Sequence, residues 1–92
     1  MLNSEQRIAL IDERLHAALN PDTLEIQDDS HMHAGHASAK GGGHFTVTIV
    51  ADVFEGKSLI ARHRLVYDAL ADAMQQEIHA LSIKAKTPTE AS

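Results

Sequence analysis

Cysteine is absent from the 92-residue chain. That absence excludes a disulfide, a thiol nucleophile, a Cys-ligated zinc site and an iron–sulfur cluster held by the chain's own thiolates. It fits a reducing compartment. Aromatic residues are scarce, two Phe, one Tyr and no Trp. The core is therefore expected to be aliphatic, and platforms for stacking nucleic-acid bases are nearly lacking. No apolar run reaches the length of a membrane span. The first residues, Met1-Leu2-Asn3-Ser4-Glu5-Gln6-Arg7, lack a basic stretch followed by an apolar one. A cytoplasmic protein without a membrane association is the expectation.

Histidine, by contrast, is abundant. Eight Lys and Arg against 13 Asp and Glu give a net charge of −5, and seven protonated His would carry it to +2. The sign of the charge thus turns on the histidine pH range. The acidity is local: residues 1–30 hold seven acids and two bases, and residues 31–92 hold six of each. An acidic balance argues against a nucleic-acid partner, which rewards a basic face. The length suits a single domain over 1–92 with one modest core.

Residues 4–19 read as an amphipathic helix, with Ser4 as its cap and Ile8, Ile11, Leu15, Ala18 and Leu19 at helical spacing. Asn20-Pro21 stops it. Leu24 and Ile26 alternate with polar residues in a short strand over 24–28. A second strand over 45–54 has Phe45, Val47, Ile49, Ala51 and Val53 on one face, and its β-branched residues support it. Ser58 can cap a helix over about 58–76, with Leu59, His63, Val66, Leu70 and Ala73 as its apolar stripe. Alternation returns over 78–86, with His79, Leu81, Ile83 and Ala85 on one face. Residues 87–92, which include Pro88, read as a flexible tail. The order α-β-β-α-β predicts an α+β fold: a three-stranded mixed sheet with the helices packed on one face.

Residues 29–44 have no usable period and are glycine-rich. They carry His31, His33, His36 and His44, a set that a flexible loop can bring onto a borderline metal. The spacing matches no zinc signature, so a solvated polar loop is the alternative. His79 opens the last strand and meets this loop if that strand neighbours the second. His63 lies on the apolar stripe, where a structural histidine is the commoner finding. Lys57, Arg62 and Arg64 form a basic patch that suits a phosphate or acidic partner, or simple solvation. An enzyme is not expected. No serine sits in a G-x-S-x-G elbow, and Gly56-Lys57-Ser58 copies a phosphate loop's end without its earlier glycine. The G-x-x-G clamp of KH modules is also missing.

Phe54-Glu55-Gly56-Lys57-Ser58-Leu59-Ile60-Ala61-Arg62-His63-Arg64-Leu65-Val66-Tyr67 resembles the signature of the BolA family. Glu77-Ile78-His79-Ala80-Leu81-Ser82-Ile83 resembles that family's last-strand segment, and Gly43-His44-Phe45 its second-strand entry. The resemblance runs over about residues 4–88. It implies an αββαβ fold similar to class II KH domains. It also implies a monothiol glutaredoxin partner and a shared [2Fe–2S] cluster, in cluster trafficking or iron homeostasis. The glutaredoxin cysteine and glutathione would supply thiolates from the partner side, and this chain histidine, which can replace thiolate on iron. The chain would be a monomer alone and a heterodimer with glutaredoxin. His79 matches the family's ligand histidine. The second ligand falls in the loop, with His33 first by alignment, then His36, then His31. His63 matches the family's helix histidine and is assigned to structure or partner contact. The family is also described as regulating transcription, including in stress response. That makes DNA an alternative partner, met by Lys57, Arg62, His63 and Arg64 on the second helix and adjoining turn.

Overall fold

The computed structural model describes residues 2–29, 43–74 and 77–91. The elements run α1 (Ser4–Leu19), β1 (Thr23–Asp28), β2 (Gly43–Val50), α2 (Leu59–Ala69), α3 (Ala71–Met74), β3 (Ile78–Lys86) and α4 (Pro88–Ala91). The sheet order is β1-β2-β3, with β1 antiparallel and β3 parallel to β2. This is the α+β architecture with a mixed three-stranded sheet that the pattern predicts. The parallel strand follows a helical crossover, as parallel pairing requires.

Helix α1 starts at Ser4 as expected, but its cap is Asn3, one residue before the expected Ser4. Asn3 accepts from the Gln6 N–H at 2.9 Å and Gln6 Oε1 accepts from the Asn3 N–H at 2.9 Å, a reciprocal box. Asn20 ends the helix in the left-handed region at φ 47°, which Asn tolerates better than most residues. Ile11, Leu15 and Leu19 are buried.

Residues on β2 alternate strictly between buried and half-buried. Phe45, Val47 and Ile49 face the helices, and His44, Thr46, Thr48 and Val50 line the other side. Among the described residues no helix packs on that side, which is largely polar, as antiparallel and mixed sheets allow. The strand stops at Val50, short of the predicted 54. A 3₁₀ turn over Asp52–Phe54 follows and buries Phe54, while Val53 is left exposed. The second helix is also shorter than its period suggests. It is interrupted at Leu70 (φ −105°, ψ 12°) before the single turn of α3.

The buried stripe of α2 is rotated from the expected one. Arg62 and Val66 are buried, followed by Leu70 and Ala73, whereas Leu59 is 64% exposed and His63 half-buried. Apolar residues from α1, α2, β2 and β3 close around Phe45 and Phe54 as one core.

Residues 88–91, read from the sequence as part of a flexible tail, form the short helix α4. Its start is a second reciprocal box: the Thr87 N–H donates to Glu90 Oε1 (2.9 Å) and the Glu90 N–H to Thr87 Oγ1 (3.1 Å).

Candidate metal centre at one end of the sheet

β2 and β3 pair residue for residue except at one point. Gly43 opposes Ile78 and His44 opposes Ala80, so His79 is the extra residue of a bulge. In such a bulge two successive side chains share the side of the single residue opposite them. Strict alternation would have put His79 with Leu81, Ile83 and Ala85 against the helices. Instead Ile78 takes the buried position and His79 is exposed. The His79 ring lies 5.1 Å, centroid to centroid, from that of His44, tilted by 52°. The bulge therefore turns the last-strand histidine onto the open face, beside a histidine of the neighbouring strand.

The backbone around this pair is held from several sides. The Asp29 N–H donates to the His44 carbonyl at 2.7 Å, and the Gly43 N–H to the Glu77 carbonyl at 3.1 Å. Asp29 receives Thr46 Oγ1 on one carboxylate oxygen (2.5 Å) and Gln27 Nε2 on the other (2.7 Å). Glu77, just before β3, accepts from Arg7 Nε at 3.1 Å, which ties the entry of β3 to α1. The chain thus leaves β1 at Asp29 and returns at Gly43 at the same corner of the sheet.

Two imidazoles on one tetrahedral metal, each about 2.0 Å from it through nitrogen, stand with their centroids about 5 Å apart. The observed spacing of His44 and His79 fits that donor arrangement. Two neutral nitrogens complete no site, so the remaining ligands have to come from elsewhere. Among the described residues no group of three or more His, Cys, Asp or Glu is arranged to hold a metal.

His31, His33 and His36 lie outside the described residues. His44 is grouped with them in sequence but not preferred as a ligand there. It is the histidine found against His79. The signal that could have singled it out is its position as the first open-face residue of β2, opposite the start of a parallel β3.

The second predicted cluster is rearranged. Arg62 is turned inward. Its Nε donates to the Lys57 carbonyl (3.0 Å) and its Nη1 to the Ala85 carbonyl (3.1 Å). Both Nη atoms reach the Glu90 carboxylate, at 2.7 and 3.2 Å. This hydrogen-bonded guanidinium, with the Thr87 amide next, holds the Glu90 carboxyl down from 4.5 to about 2. Arg62 is thus spent on joining α2, β3 and α4, because a buried guanidinium needs its donors satisfied. Lys57 and Arg64 remain exposed and His63 half-buried.

A three-stranded mixed sheet of this order, flanked by a long first helix and carrying a histidine pair at one corner, defines a small α+β module. The family model for BolA-like protein matches residues 15–90, and the chain belongs to the BolA family. It is 50% identical over 86 residues to the SufE-like protein 1, chloroplastic/mitochondrial, of Arabidopsis thaliana, covering 87% of this chain and 23% of that protein. It is 47% identical to Protein BOLA1, chloroplastic, of the same plant (94% and 56% covered). It is 43% identical to BolA-like protein 1 of Mus musculus (89% and 58%). The chain therefore spans between about a quarter and three fifths of these relatives' lengths. Among solved structures, the BolA domain of SufE1 from Arabidopsis thaliana superposes with a TM-score of 0.80 at 48% identity, covering 98% of this chain and 99% of that one. BolA1 from Arabidopsis thaliana gives 0.77 at 39% identity over the whole of both chains.

Proposed function

We propose that the chain is a non-catalytic partner of a monothiol glutaredoxin and contributes histidine to a [2Fe–2S] cluster shared between them. It would serve cluster trafficking or iron homeostasis. The observation that carries this reading is the approach of His44 and His79 across the β3 bulge. A chain without cysteine can bind such a cluster only where a partner provides thiolate, and imidazole is an accepted replacement on one iron. His79 is one ligand. The second comes from the stretch that ends at His44. His44 itself is favoured by proximity, and His33 by the family motif. That stretch is tethered at Asp29 and Gly43, both beside the pair, and at about 3.3 Å per residue its chain is long enough to return there. A reducing compartment suits the reading. The plant relatives' names place those proteins in chloroplasts and mitochondria.

The test is to load a monothiol glutaredoxin with cluster and glutathione, then add this protein and follow the visible spectrum. Wild type is expected to change it. His79→Ala is expected to leave the glutaredoxin-only spectrum, and either His44→Ala or His33→Ala to alter the mixed one. A wild-type spectrum from His79→Ala combined with both of those substitutions overturns ligation by this chain. The DNA reading has less support, because Arg62 is committed internally and leaves Lys57 and Arg64 as the exposed cations of that patch.

A further inference from the structure

The opposite end of β3 carries a second feature. β3 is an edge strand. Its Lys86 carbonyl accepts from the Ala51 N–H and so points along the β2 side. By alternation, Leu81, Ile83 and Ala85 point their backbone groups outward. Two of these carbonyls are met by α2: Ala85 by Arg62 at 3.1 Å and Leu81 by the Tyr67 hydroxyl at 3.4 Å. No described side chain meets the N–H and C=O of Ile83, midway between them. An uncovered edge is what proteins ordinarily blunt, since it templates pairing with another strand.

A groove of about 410 Å³ runs along this edge, with Leu59, His63, Ile83 and Ala85 among its lining residues. Leu59 and its neighbour Ile60 are 64% and 69% exposed. Its two sides differ in chemistry. Ile83 and Ala85 face the helix side, with Leu59 above them. Lys84 and Lys86 face the open side, exposed and in no ion pair among the described residues. The Glu90 carboxylate that lines the groove is neutralised by Arg62. A locally cationic, aliphatic edge in a chain of net charge −5 calls for a partner of the opposite pattern.

We infer that the free edge of β3 around Ile83 docks an extended peptide that alternates aliphatic residues with carboxylates. Such a segment adds as a short fourth strand. Its backbone pairs with Ile83, its aliphatic side chains enter the groove against Leu59 and Ile83, and its carboxylates meet Lys84 and Lys86 as cross-strand neighbours. The edge lies at the far end of β3 from His79, about 13 Å or more along the strand at 3.3 Å per residue. Docking there requires neither glutaredoxin nor a cluster.

The probe is a fluorescein-labelled, end-capped peptide of about seven residues alternating valine and glutamate. Its binding is read by fluorescence polarisation and by amide shifts of the 15N-labelled protein. Saturable binding is expected, with the largest shifts at Ile83, Ala85 and Leu59. Methylating the peptide amides along one edge removes strand pairing without touching the protein and is expected to weaken binding about tenfold or more. The exposed charge reversal Lys84→Glu with Lys86→Glu is expected to do the same. No binding overturns the inference. So does equal affinity for the methylated peptide or for a lysine–valine peptide, or shifts centred on His44 and His79.

Discussion

Arg62 shows how far a single side chain can depart from its apparent role. In sequence it sits between a lysine turn and Arg64 and belongs to a basic surface. In the fold it is 8% exposed and joins three elements through Lys57, Ala85 and Glu90. Periodicity could not reveal this, because nothing local announces that Glu90 lies within reach. The pairing has a pH signature. Glu90 titrates near 4.5 when free and at about 2 when held, so its contribution is fully present above about pH 4.5 and lost as pH falls toward 2. Urea midpoints measured at about pH 6, 4.5 and 3 should therefore decline for the wild type. Glu90→Gln should start lower and lose that part of the decline; an unchanged slope would break the assignment. At the core, Leu15 is fully buried. Leu15→Ala should cost about 2–5 kcal/mol in the same measurement.

The elements were legible where one period ran uninterrupted. Helix 4–19 and strand 78–86 coincide with their predicted spans because Asn20-Pro21 and Pro88 mark sharp ends. Interruptions were not legible. The turn of Asp52–Phe54 continues the apolar alternation of β2 in composition while leaving the sheet, and the break at Leu70 keeps helical spacing on both sides. The β3 bulge is the costliest omission for function. A period of two assigns His79 to the buried face, and only the pairing of Gly43 with Ile78 and of His44 with Ala80 reverses that. Caps give the test at this scale. Ser58 accepts from the Ala61 N–H at 3.2 Å at the start of α2. Ser58→Ala should cost about 1 kcal/mol in thermal or urea unfolding. Asn20→Gly should be nearly neutral and Asn20→Val clearly destabilising, because the left-handed backbone at φ 47° excludes β-branched residues.

For the whole molecule, the histidine count and the missing cysteine join into one account. The topology brings the two ends of the segment bearing His31, His33 and His36 to the corner where His44 meets His79. It leaves the other end of the sheet to an aliphatic, cationic edge. The overall order of elements was readable because the α-β-β-α-β sequence has few closed solutions. Which histidines meet was not, since that depends on register across parallel strands. The central claim is that imidazoles of this chain ligate a cluster whose thiolates belong to a glutaredoxin. The most direct measurement labels only this chain with 15N-histidine, forms the cluster-bridged complex with unlabelled glutaredoxin, reduces it and records pulsed electron paramagnetic resonance. The account predicts two 15N couplings to the reduced cluster, and none in His79→Ala, which leaves the cluster to glutaredoxin alone. A spectrum free of 15N coupling would contradict it.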